Sequence, residues 1–249
     1  MTRVRAGLVA LFGAVLFAVG TQPAAAQWAG SETGRAIWDL NENLLYAAVP
    51  ITVLVEGILI YTVLKFKDND DPLPTKENRR LEITWTVATA IILLFVGVAS
   101  YQVLANPLVS AEASQEVQTE GEVLEVEVEA QRYNFNFYYN GTAENTSQEA
   151  GPDNRVSSTN TLVLPANRTI LLRVTSTDWI HAFHAPSLGL KQDAMPGQYE
   201  NIQTRITETG KYQLYCAEYC GTGHSQMLGE IDVRSQEEFQ SWLDEQQSS

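Results

Sequence analysis

Cys216-Ala217-Glu218-Tyr219-Cys220-Gly221-Thr222-Gly223-His224-Ser225-Gln226-Met227 lies between two short runs rich in β-branched and aromatic residues, Lys211–Tyr215 and Leu228–Val233. Such runs read as strands, so the stretch between them is a loop whose backbone is fixed from both ends. The loop holds both cysteines of the chain, one of its three histidines, and the only methionine besides Met1 and Met195. Two thiolates, an imidazole and a thioether form a soft ligand set, which suits copper better than magnesium or calcium. One more strong nitrogen ligand is wanted, and His181 and His184 are the candidates, in Trp179-Ile180-His181-Ala182-Phe183-His184. A mononuclear blue-copper centre would take Cys220, His224, Met227 and one upstream histidine, leaving Cys216 unused. A dinuclear centre would use both thiolates as bridges and leave nothing over. A disulfide suits an oxidising compartment, but it explains neither His224 nor Met227 at their spacings. The expectation is a copper site.

Outward from the loop, the same strand signature recurs. Val123-Leu124-Glu125-Val126-Glu127-Val128-Glu129 alternates apolar and acidic, as a half-buried strand does. Thr161–Pro165, Thr169–Thr175, Trp179–Ala185 and Asn201–Ile206 are further short runs separated by turn residues, which predicts an all-β sandwich or barrel. Tyr133, Phe135, Phe137 and Tyr139 place an aromatic at every second position, with Phe135 and Phe137 read as core. Asn140–Asn160 is polar and contains Gly151-Pro152-Asp153, the signature of a surface loop. A last helix is expected from Ser235, with Glu238 completing a capping box.

The N-terminal third is different in kind. Arg3 and Arg5, the apolar run Ala6–Val19 and Ala24-Ala25-Ala26 make a secretory signal peptide with cleavage after Ala26. Leu44–Leu64 is then the first membrane span, about 31 Å long at ~1.5 Å per residue. Glu56 within it is expensive in lipid and is expected to meet a partner subunit. Ile83–Leu104, free of charge, is the second span. Lys65, Lys67, Lys76, Arg79 and Arg80 crowd the loop between them and place segment 65–82 on the cytoplasmic side. The plan is a segment 27–105 carrying a two-helix hairpin in the plasma membrane, and a domain 106–249 on the outer face. From residue 106 onward there are 21 Asp+Glu against 8 Lys+Arg. This acidity steers a basic redox partner or reflects a saline habitat, and it argues against nucleic acid. Asn140, Asn145 and Asn167 open N-x-S/T triplets, as an outward-facing domain permits.

Asp178-Trp179-Ile180-His181, Pro186-Ser187-Leu188-Gly189-Leu190-Lys191 and the Cys216–Met227 loop together resemble the CuA domain of cytochrome c oxidase subunit 2, a match running from about residue 37 to the C-terminus. The resemblance implies a cupredoxin-like Greek-key β-barrel or sandwich behind a membrane hairpin. It implies one copper on His181 and Met227, a second on His224 and the backbone carbonyl of Glu218, and Cys216 and Cys220 bridging both. The Glu218 side chain would ligate magnesium at the boundary with subunit 1. Glu82, in a Glu-x-x-Trp segment with Trp85, would sit at the mouth of a proton-uptake path. Tyr133 stands where the family has the tryptophan at which electrons arrive, preceded here by Arg132. That substitution bears on whether the donor is cytochrome c or a blue-copper protein.

The implied role is the electron-entry subunit of a proton-translocating haem–copper oxidase, with no catalytic residue in this chain. Neither apolar span contains a histidine, so haem and oxygen chemistry belong to subunit 1. A nitrous oxide reductase would share the loop but needs many more histidines than three. A quinol oxidase subunit would lack the copper ligands. A membrane-tethered mononuclear blue-copper carrier is the alternative.

Overall fold

The computed structural model describes residues 30–74, 76–110, 123–140 and 155–248. The signal-peptide reading of Met1–Ala26 and the triplet at Asn145 lie outside these residues.

Two long helices come first, α1 Glu32–Phe66 and α2 Arg79–Leu104. Each begins on a side-chain cap: Ser31 Oγ accepts the Gly34 N–H and Asn78 Oδ1 accepts the Leu81 N–H, satisfying donors a helix start leaves open. Both are long and apolar enough to cross a bilayer, and no side chain of α2 is buried. α1 starts twelve residues before the apolar stretch read as a span. Its first turn has work to do outside the membrane. Ser31 Oγ donates to the Leu188 carbonyl at 2.6 Å, Thr33 Oγ1 to that of Leu108 at 2.8 Å, and Ser31, Thr33 and Gly34 are buried. A Cβ on Gly189 would lie 3.0 Å from the Gly34 Cα, and Gly189 holds a φ of +66°, so the contact requires glycine twice over.

The rest is a two-layer β-sandwich. Its strands are β1 Leu124–Gln131, β2 Asn134–Asn140, β3 Val156–Thr159, β4 Thr161–Pro165, β5 Thr169–Ser176, β6 His181–Ala185, β7 Leu190–Ala194, β8 Glu200–Arg205, β9 Gly210–Cys216 and β10 Leu228–Arg234. One sheet runs β3-β2-β1-β5-β8 and the other β4-β10-β9-β6-β7. β1 pairs in parallel with β5 and β4 with β10, while the hairpin partners are antiparallel, so the chain crosses between layers as a Greek key does. β1 turns Leu124, Val126, Val128 and Ala130 inward and its glutamates outward. Phe135 meets Phe183 of the other sheet edge-to-face, at 6.1 Å and 83°, the arrangement aromatic quadrupoles favour. A closing helix, α3 Gln236–Gln247, carries the expected Ser235–Glu238 capping box and seats Phe239 beside Tyr139.

Three expectations need correction. The polar stretch 140–160 is not all loop, because Val156–Thr159 forms β3. Leu190–Ala194 forms β7, which sequence gave no strand signal for. Both are edge strands, with one row of backbone groups unpaired, and edges tolerate polar residues that interior strands do not. The run read as a strand from Trp179 starts only at His181. Asp178 takes the Trp179 N–H onto its own Oδ1 at 2.7 Å, turning the chain so that Trp179 and Ile180 are about half exposed.

Candidate metal centre

β9 and β10 are antiparallel neighbours, with Leu228 opposite Tyr215, so the loop between them is closed at its base. The Cys216 N–H donates to the Met227 carbonyl at 3.1 Å and completes that closure. β6 lies on the other side of β9, with Phe183 opposite Cys216, and the Ala217 N–H reaches the Ala182 carbonyl. This pairing brings His181, thirty-five residues upstream, against the loop. His184 is three residues further along the same strand and therefore faces the other way. Its Nδ1 meets the Leu190 carbonyl at 3.0 Å and its ring meets Tyr215 edge-on, so it takes no part in the site.

The two cysteines are free, with sulfurs 3.9 Å apart, well beyond the ~2.05 Å of a disulfide. Cys216 Sγ lies 3.8 Å from His181 Nδ1 and 3.2 Å from the Glu218 carbonyl oxygen. Cys220 Sγ lies 3.6 Å from His224 Nδ1 and 3.9 Å from Met227 Sδ. His181, Cys216, Cys220 and Met227 are all buried. The ligand atoms of His181, Cys216 and Cys220 fall within 4.8 Å of one another, the spacing at which one metal ion touches several donors. Soft sulfurs flanked by imidazoles fit copper, and His224 and Met227 both approach Cys220.

Asp178, quoted in the sequence pattern but given no role there, orients His181. Its Oδ1 accepts from His181 Nε2 at 2.9 Å, which leaves Nδ1 to face the sulfurs. A carboxylate on the far nitrogen of a histidine is the usual partner of a metal-binding imidazole. Burial opposes ionisation of Cys216, but hydrogen bonds, first from His181, outweigh it and hold its pKa well below the usual thiol value. Burial and the neighbouring Cys216 charge push Cys220 the other way. The charge on one sulfur thus opposes ionisation of the other, a repulsion that a cation between them would relieve.

The description "Cytochrome C oxidase subunit II, periplasmic domain" matches residues 127–234, and "Cytochrome C oxidase subunit II, transmembrane domain" matches residues 19–103. The probable cytochrome c oxidase subunit 2 of Rickettsia bellii is 30% identical over 261 residues, covering 95% of this chain and 91% of that protein. The chain belongs to the cytochrome c oxidase subunit II family. The subunit 2 of Cereibacter sphaeroides is also 30% identical, over 91% of this chain and 79% of its own length. The periplasmic domain of subunit II from Bradyrhizobium japonicum covers 50% of this chain and 94% of its own, at 25% identity and a TM-score of 0.43. As a member of the subunit II family, the chain is part of an oxidoreductase complex, and α1 and α2 are its two membrane spans.

The other residues singled out in the sequence are dispersed around this frame. Tyr133 lies in the turn between β1 and β2 and covers the loop: a Cβ on Gly223 would stand 2.6 Å from its ring, and its hydroxyl is 3.4 Å from Thr222 Oγ1. The Glu218 carboxylate lies 3.8 Å from Lys191 Nζ, while its backbone carbonyl faces Cys216. Glu82 sits in the first turn of α2, at the far end of the hairpin, beside a cleft of about 310 Å³ lined by Lys76, Asn78 and Trp85. Asn167 is exposed in a turn with φ +61°.

Proposed function

We propose that this chain is the electron-entry subunit of a respiratory haem–copper oxidase, and that His181, Cys216, Cys220, His224, Met227 and the Glu218 carbonyl hold a dinuclear copper centre. The observation that carries the reading is the pair of free, buried sulfurs 3.9 Å apart, each with an imidazole of its own. A single-copper site would leave one of those sulfur–imidazole pairs without purpose. When bound, a copper pair held by these residues would supply a one-electron centre.

The chain's own residues make such a centre stiff and dry. The loop is anchored at its base, where the Cys216 N–H meets the Met227 carbonyl and β9 pairs with β10, which limits how far its donors can move. Burial of both sulfurs excludes water, and Asp178 fixes the ring of His181. A site that moves little between oxidation states needs little reorganisation to exchange an electron. Cytochrome c or a blue-copper protein delivers the electron at the acidic outer domain, near Tyr133, and haem in subunit 1 receives it for oxygen reduction coupled to proton transfer. The Glu218 side chain, beside Lys191, is the proposed magnesium ligand at that subunit boundary. Segment 1–26 is the proposed signal peptide, 27–105 the membrane part and 106–249 the outer domain, with loop 65–82 in the cytoplasm and Glu82 admitting protons from that side.

Copper stoichiometry with electron paramagnetic resonance of the purified full-length chain tests the reading. Two coppers per chain and a seven-line hyperfine pattern are expected. A four-line pattern with one copper would replace it with a mononuclear carrier, and a metal-free Cys216–Cys220 disulfide would remove the electron-transfer role.

A further inference from the structure

The metal donors come from two separate segments, His181 at the start of β6 and the loop between β9 and β10. A third segment touches both. Arg132, in the β1–β2 turn, donates its backbone N–H to Asp178 Oδ2 at 3.1 Å. Its Nε donates to the Cys220 carbonyl at 3.1 Å and stands 3.7 Å from the same Asp178 oxygen. The guanidinium lies over the Trp179 ring, 4.9 Å from its centroid. Asp178 uses its other oxygen for His181 Nε2 and the Trp179 N–H. The side chain therefore hydrogen-bonds the carbonyl of a sulfur ligand while its charge forms an ion pair with the carboxylate that aims His181 on the opposite segment.

We propose that Arg132 is a positioning residue that locks the His181 segment and the Cys220 segment into one metal-binding geometry. This inference rests on the copper reading of the site. Nothing in the fold asks for an arginine here: the side chain is 42% exposed, and an ion pair this open contributes little to stability. What it supplies is geometric. A guanidinium stacked flat on an indole aims its Nε–H at the Cys220 carbonyl and keeps its charge beside Asp178, and a lysine ammonium, a point charge on a flexible stem, does not reproduce that. Groups that orient metal ligands typically change metal affinity about 10–100-fold when removed. The backbone N–H contact to Asp178 survives any side-chain change, so substitution isolates the guanidinium.

The test uses the full-length chain as wild type, Arg132→Ala, Arg132→Gln and Arg132→Lys. Metal-free protein is followed by hydrogen exchange at the amides of 179–181 and 220–222. Copper-loaded protein is followed by its hyperfine pattern and by the rate of copper loss to a chelator. Arg132→Ala is expected to take up as much copper as wild type, lose it about tenfold faster, show altered hyperfine couplings, and exchange faster in both segments when metal-free. Lysine is expected to restore little of this; full rescue by lysine would overturn the proposal in favour of charge alone. Unchanged copper loss and hyperfine pattern in Arg132→Ala would also overturn it. Should that variant not fold, Arg132→Gln, which keeps one side-chain donor, is read by the same criteria. If wild type binds no copper pair, the functional reading fails, while the metal-free exchange still decides whether Arg132 couples the two segments.

Discussion

Gly223 has no room for a side chain. A Cβ there would meet Tyr133 ring carbons at 2.6, 2.7 and 2.8 Å, closer than packed atoms come, and one at Gly221 would meet the Tyr133 hydroxyl at 2.7 Å with φ at +132°. The tyrosine ring is thus a lid fitted to a bare stretch of the metal loop, which ties the proposed electron-entry residue to the donors by packing. Gly223→Ala is expected to destabilise the loop by about 1–3 kcal/mol, as overpacking does. The backbone at Gly223 is not in the left-handed region, so the clash with Tyr133 is the whole cause. Gly223→Ala combined with Tyr133→Ala should therefore recover most of the lost copper retention. Thermal melting and chelator release of the single and double variants check this, and a double variant as weak as the single one would refute the packing account.

At the scale of elements, α1 serves two environments. Thr33 and Gly34 in its first turn are buried against the β-sandwich, and from Ile51 to Phe66 it is exposed along its length, as a membrane-spanning segment of a chain without its partners is. Glu56 lies in that second part, eight residues before Leu64 and so about 12 Å inside the span. A carboxyl at that depth costs roughly 2.5–3.5 kcal/mol unless it is paired. Glu56 is therefore expected to accept a hydrogen bond from a membrane helix of the haem-bearing subunit. Glu56→Leu should reduce co-purification of the two subunits several-fold and Glu56→Gln should not. Equal recovery for both would place Glu56 away from the interface.

The whole molecule divides its charge unevenly between its parts. The acidic excess sits from residue 106 on, with 21 Asp+Glu against 8 Lys+Arg, while in the short inter-helix loop Lys65, Lys67, Lys76, Arg79 and Arg80 balance its acidic residues. An amine reagent that does not cross membranes is expected to label Lys65, Lys67 and Lys76 in inside-out vesicles and Lys191 and Lys211 in right-side-out ones. Labelling of the loop from outside would invert the proposed topology. With that orientation, Glu82 opens toward the cytoplasm at a cleft about 310 Å³ in volume, at the opposite end of the hairpin from the copper loop. Glu82→Ala is accordingly expected to slow proton uptake in the assembled oxidase and leave the copper spectrum unchanged. A full-speed enzyme would remove Glu82 from the proton path.

That sulfur and imidazole groups gather in one loop was legible in the sequence, because two cysteines, a histidine and a methionine lie within twelve neighbouring residues. Alternation in β1 and the long apolar runs were equally plain, since period and length are properties of neighbours along the chain. Edge strands β3 and β7 were not, because an edge asks little of its own residues and is defined by the strand beside it. Residue chemistry left His181 and His184 as equal candidates and the resemblance favoured His181, but only the tertiary structure gives the physical reason, through the side of β6 each occupies and its pairing with β9. It alone joined Arg132, Asp178 and Cys220, three residues far apart in sequence whose meeting depends on how two sheets are stacked. Short-range composition sets which chemistry is available, whereas the aiming of each group is a long-range property that exists only once the sandwich has closed.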